Sequence, residues 1–120
     1  MRYLTADEVC SIADFPRAAF DRAASSWLPK KLRVKVGPVY EYVPVTPAFL
    51  KLVALLRGTF GESSRIPAQL AEQALPQIER LLTSSHAPSD SLTIQASPTT
   101  QVDIRSSFVA EVREALAQLS

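Results

Sequence analysis

The chain has 120 residues, 47% of them hydrophobic, and a formal net charge of +1; that length suits one core and is too short for a typical multi-domain enzyme. No apolar run approaches the roughly 20 residues that span a bilayer, and the opening MRYLTADEV holds no apolar signal segment, so a cytoplasmic protein is expected. The near-neutral total conceals an asymmetry, because residues 1–57 hold nine Lys/Arg against five Asp/Glu while residues 58–120 hold four against seven.

In chain order, Thr5 with Glu8 three residues later spells a capping box, in which each side chain satisfies a backbone N–H that the helix start leaves open. It predicts a short helix with Val9, Ile12 and Ala13 on one face. Pro16 at a first helical position opens a second short helix, with Phe20, Ala23 or Ala24, and Trp27 inward. The outward face would carry Arg17, Ala18, Asp21, Arg22 and Ser25.

In KKLRVKVGPVYEY the period changes to two, with Leu32, Val34 and Val36 on one side and Lys31, Arg33 and Lys35 on the other. A half-buried strand is expected there, with Lys30 at its start. After Gly37-Pro38 a second strand follows, placing Tyr40 and Tyr42 on one face. The hairpin turn should not be a standard tight one, because Pro38 restricts Gly37 and has no N–H to donate. Thr46-Pro47 then reads as N-cap and first residue of the apolar helix AFLKLVALLRGTF, to be stopped by Gly58 or Gly61.

Beyond Gly61, Ser63-Ser64 and the loop SSHAPSDS separate further elements. IPAQLAEQALPQIERLL is helical in pattern, and Pro76 must either kink it or start a second helix. SLTIQASPTTQVDI reads as a hairpin around Ser97-Pro98 with Leu92, Ile94, Val102 and Ile104 inward. In the closing helix Val109, Val112, Leu116 and Leu119 recur at heptad-like spacing. That stripe would meet a two-fold mate or a protein partner, or else pack on the chain's own hairpin.

Catalytic patterns are sparse. One His86 in a Ser/Pro loop and one Cys10 on a helix make a poor ligand set, so no metal and no cofactor is expected. Cys10 reads as a small core residue, and a single cysteine forms no internal disulfide. Glycines occur only at 37, 58 and 61, which excludes a glycine-rich phosphate loop. Glu111 and Glu114 read as a solvated helix face. The chain is expected not to be an enzyme.

The cations are the feature that stands out. Between Arg17 and Lys35 six of them face one acid, Asp21, which suits a polyanion. Two short helices, a basic hairpin and an apolar helix, in that order, form the pattern of a winged helix-turn-helix. One helix is held by another for insertion in a major groove, and the hairpin carries cations to neighbouring phosphates. The expected fold class is therefore α+β and mostly helical: a winged helix-turn-helix over residues 1–60, then a helical segment, a second hairpin and a C-terminal helix over residues 62–120. Arg17 and Arg22 would approach base edges, while Lys30, Lys31, Arg33, Lys35 and Arg2 would neutralise phosphates. The competing reading of the basic strand is a solvated edge whose lysines discourage sheet-to-sheet association.

The stretch YLTADEVCSIADFPRAAFDRAASSWLPK resembles the helix-turn-helix of MerR-like and excisionase proteins through Leu4-Thr5, the turn Ala13-Asp14-Phe15, Pro16-Arg17 and Leu28-Pro29. It departs from that pattern where Asp14 replaces the turn glycine, Pro16 replaces the cap serine and Asp21 puts an anion near DNA. Over most of its length the order of elements is similar to the N-terminal part of VapB-type, MerR-like antitoxins. That resemblance implies binding to operator DNA, dimerisation, repression of the protein's own operon and a PIN-like nuclease toxin as partner. In that family a further C-terminal domain follows the last helix; the chain stops at Ser120, and toxin neutralisation by such a domain is not carried over. The alternatives are an excisionase-like architectural protein, which would need only the first 57 or so residues, and a protein-interaction module that neutralises a toxin without binding DNA.

Overall fold

A computed structural model of the chain describes residues 2–60, 65–83 and 91–119. His86, Gly61, Ser63-Ser64 and all but the last serine of the SSHAPSDS loop lie outside them. The described residues form six α-helices and two antiparallel hairpins, a mostly helical α+β architecture. No helix among them is long and apolar enough to cross a membrane.

The first helix, α1 (Ala6–Ala13), starts on the expected capping box. Glu8 N–H donates to Thr5 Oγ1 at 3.2 Å, and Thr5 N–H donates to Glu8 Oε1 at 2.9 Å. Val9 and Ala13 are buried. The helix ends at Asp14 in the left-handed conformation, φ 53° and ψ 52°. Aspartate tolerates that region better than most side chains, so the departure from glycine is accommodated. The second helix, α2 (Arg17–Ala24), buries Phe20 and Ala23. Pro16 sits one position earlier than expected, as an extended N-cap rather than as the first helical residue.

The basic segment differs from its sequence reading. Lys30–Leu32 form a 3-10 turn after Pro29, closed by Leu32 N–H donating to Pro29 O at 3.1 Å. The strand β1 therefore covers only Arg33–Val36 and pairs with β2 (Val39–Tyr42), Val36 lying opposite Val39. The alternation also fades along β1: Leu32 before it is buried, Val34 half-buried, and Val36 45% exposed. The hairpin runs out beyond the core, so the inward face has nothing left to pack on at its tip. The same outreach separates Tyr42, buried, from Tyr40, exposed, on one face of β2.

The turn is a two-residue one, contrary to expectation. Gly37 has φ +61°, which a first central residue needs in both primed hairpin turns, and proline's fixed negative φ at the second position leaves only type II′. The donor that closes such a turn belongs to the residue after it, so Pro38's missing N–H is not needed. Leu4 makes an isolated antiparallel bridge to this sheet: its N–H donates to Tyr42 O and its carbonyl accepts from Tyr42 N–H, both at 2.8 Å.

The central helix is α3 (Thr46–Phe60), in which Ala48, Phe49, Leu50, Leu52, Val53 and Leu56 are all fully buried. It passes through Gly58, which does not stop it. Helices α4 (Arg65–Gln73) and α5 (Leu75–Thr83) break at Ala74, with Pro76 in the first turn of α5, where its missing N–H does no harm. The second hairpin pairs β3 (Ser91–Ser97) with β4 (Thr100–Arg105), with a bulge between Gln95 and Ser97. Leu92 and Ile94 are buried; Val102 and Ile104 are half-buried. Gln77 of α5 uses its side-chain amide as a strand would: Nε2 donates to Thr93 O at 2.9 Å, and Oε1 accepts from Thr93 N–H at 3.3 Å.

The last helix, α6 (Ser107–Gln118), buries Phe108, Val109, Val112 and Leu116. Its neighbours are α5, α3 and α1. One continuous cluster of buried side chains runs from Leu4 to Leu116, so residues on both sides of position 61 share one core.

Candidate nucleic-acid interface

Five of the residues singled out on the second helix do share one exposed face: Arg17, Ala18, Asp21, Arg22 and Ser25. Phe20 anchors the opposite face, its ring meeting Tyr42 edge-on at 5.0 Å between centroids. The helix is thus fixed against the hairpin from its buried side. Ser25 Oγ turns back to accompany the helix, donating to Asp21 O or Arg22 O at 3.3 and 3.1 Å.

Arg17 is not loose. Its Nε donates to Asp21 Oδ1 at 3.1 Å, one turn along α2, and its Nη1 donates to Asp7 Oδ1 on α1. Both carboxylates hold the guanidinium in its charged form, Asp21 contributing more than Asp7. The pairing with Asp21 follows from i,i+4 spacing and was legible in the chain. Asp7, ten residues away, comes close only through the α1–α2 turn. Arg2 is also committed: Nη1 donates to Glu8 Oε1 at 3.0 Å and Nη2 reaches Oε2. This pairing, with the Thr5 backbone bond second, lowers the Glu8 carboxyl to about 2. Arg2 therefore leaves the set of cations expected on phosphates.

Arg33 ties the hairpin to α2. Its guanidinium lies over the Tyr40 ring, 4.5 Å from the centroid, and Nη1 donates to Ala24 O at 3.4 Å. A cation at that point also meets the negative end of the helix. Lys31 reaches Glu72 at only 3.9 Å with both side chains about half exposed, a pairing of little strength. Arg22, Lys30 and Lys35 are exposed and make no ion pair with any described residue. A cleft of about 370 Å³ separates α2 from the hairpin, lined by Asp7, Arg17 and Asp21 on one side and Val39, Tyr40 and Glu41 on the other. The outer face of α2 and the second hairpin strand therefore border the same space.

The apolar stripe predicted on the last helix is turned inward. Val109 and Val112 are completely buried, Leu116 is 6% exposed, and Leu119 packs against the same cluster. The stripe, expected to meet a mate or partner or else the chain's own hairpin, packs within the chain, chiefly on α5 and α3. Cys10 is half-buried against the core, and burial raises its thiol pKa. Among the described residues no group of three or more His, Cys, Asp or Glu converges on a metal-sized site. Sequence reasoning missed the apolar hairpin end, where Val36, Val39 and Tyr40 are 45%, 58% and 42% exposed.

No protein-family model, no curated protein and no solved structure matches the chain.

Proposed function

We propose that the chain is a DNA-binding repressor of the winged helix-turn-helix kind, gripping duplex DNA with the exposed face of α2 and the hairpin β1–β2. The observation that carries this reading is the Arg33 clamp, which joins the hairpin to the carboxyl end of α2. It holds Lys30, Lys31, Lys35 and Arg22 on fixed elements around one helix whose outer face is free of packing. Rigidly carried cations beside an exposed helix suit the two layers of duplex recognition, phosphate contacts that fix register and side chains at base edges. The resemblance noted above extends the proposal to an antitoxin that represses its own operon and has a PIN-like nuclease partner.

With Arg2 committed to Glu8 and Arg33 clamped to the helix end, about three cations, Lys30, Lys31 and Lys35, remain for phosphates, so log K should fall against log salt with a slope near −2.7 per protomer. Fluorescence titration of a labelled duplex from its own promoter, repeated at several salt concentrations, measures that slope. Absent or salt-insensitive binding would sink the proposal. Repression of a reporter driven by that promoter tests the regulatory part.

The continuous core favours keeping one second reading. The described residues beyond position 65 complete the packing around α3, so they need no separate task, and an excisionase-like architectural role fits the same surface. DNA bending without repression would select it.

A further inference from the structure

Asp21 is an anion on a surface otherwise suited to phosphates, and its geometry gives it a use. Its Oδ1 accepts from Arg17 Nε at 3.1 Å, while its other oxygen and Arg17 Nη2 make no bond to any described residue. The two side chains are 62% and 51% exposed on the outer face of α2. Arg17 is the first residue of that helix, the end that usually meets base edges in a helix-turn-helix. The pair presents outward donors beside an outward acceptor.

In the major groove a G·C pair presents the complementary row: N7 and O6 of guanine accept, and the N4 amino group of cytosine donates. We infer that Arg17 and Asp21 together read one G·C base pair, Arg17 donating to guanine and Asp21 accepting from the cytosine amino group. The inference rests on the DNA-binding reading above. With adenine under Arg17 and thymine under Asp21, the adenine amino group faces the guanidinium and thymine O4 faces the carboxylate, like against like; in the reverse orientation thymine offers Arg17 one acceptor, O4, in place of guanine's two. Asp7 keeps Arg17 turned toward Asp21 in the free protein, so the reader is assembled before it meets DNA.

The test takes the full chain, wild type and the variants Asp21→Ala and Asp21→Asn, and a pool of duplexes with a randomised core. Wild type should enrich sequences with one fixed G·C pair, and replacing that pair by A·T should weaken binding roughly tenfold or more. Asp21→Ala, folded by circular dichroism, should lose preference at that pair while its affinity for unselected duplex rises, because an anion has left the surface. Asp21→Asn should relax the same position toward adenine and decides the matter if the alanine variant does not fold. Unchanged base preferences in these variants overturn the inference and leave DNA binding intact. Enrichment by wild type without a fixed G·C pair does the same. Failure of wild type to bind any duplex at low salt overturns the proposed function itself.

Discussion

Glu8 is held from two sides, by Arg2 and by the open backbone N–H of Thr5, and this couples the start of α1 to pH. Its carboxyl is lowered in the folded chain to about 2, so its contribution is complete above the usual carboxylate range and is lost as pH falls through that range toward 2. Carboxyl-carbon NMR should find the Glu8 midpoint near 2, and Arg2→Ala should move it upward, since Arg2 is the larger cause. Thr5→Ala should cost about 1 kcal/mol of stability, the usual loss for a removed N-cap, measured by urea unfolding. At this scale most of the molecule was readable. The capping box needs only two residues at fixed spacing, and Asp14 marked a turn. Pairs such as Arg17–Asp7 were not, because no local rule links residues on two different helices.

The hairpin β1–β2 depends on a single left-handed residue. Gly37 has φ +61°, and beyond its two chain neighbours no atom lies within 4 Å of where a Cβ would stand, so a substitution there is opposed by backbone conformation alone. Gly37→Ala should destabilise by roughly 1–2 kcal/mol, read as a shift of urea midpoint without a change in slope. The elements themselves were largely legible, because hydrophobic period and breakers locate helices and hairpins without knowledge of what they touch. Their use was less so. The spacing of Val109, Val112, Leu116 and Leu119 marks an apolar helix face equally well whether its partner is a second molecule or α5. Likewise, period-two alternation in KKLRVKV describes side chains but not Pro29, which draws Lys30–Leu32 into a turn.

Across the whole molecule, α3 is covered by α1 from the basic half and by α4, α5 and α6 from the acidic half, so the charge asymmetry is laid over one core. A chain ending at Ser107 would lose Phe108, Val109, Val112 and Leu116. At about 1.5–3 kcal/mol for each such side chain, the loss rivals the roughly 5–15 kcal/mol that holds a whole domain together. That truncated chain should show no cooperative thermal transition by circular dichroism. Intact folding with an unchanged transition would mean that the C-terminal helix is dispensable. Lys31–Glu72 and Lys51–Glu111 join the two halves at the surface, while the uncompensated cations stay near α2, giving the molecule a polarity that would turn this side toward a polyanion.

When many copies meet in solution, the amide of Gln77 acquires a further meaning. By occupying both backbone groups of Thr93, it closes the outer margin of β3 at its middle, where an incoming chain would otherwise begin to zip. An unguarded margin is a template for fibril growth. Gln77→Ala should therefore leave a protein that melts at nearly the same temperature yet, at high concentration, binds thioflavin T and scatters light sooner than wild type. Shelf life of the dissolved protein would then be governed by one glutamine rather than by the depth of its folding well.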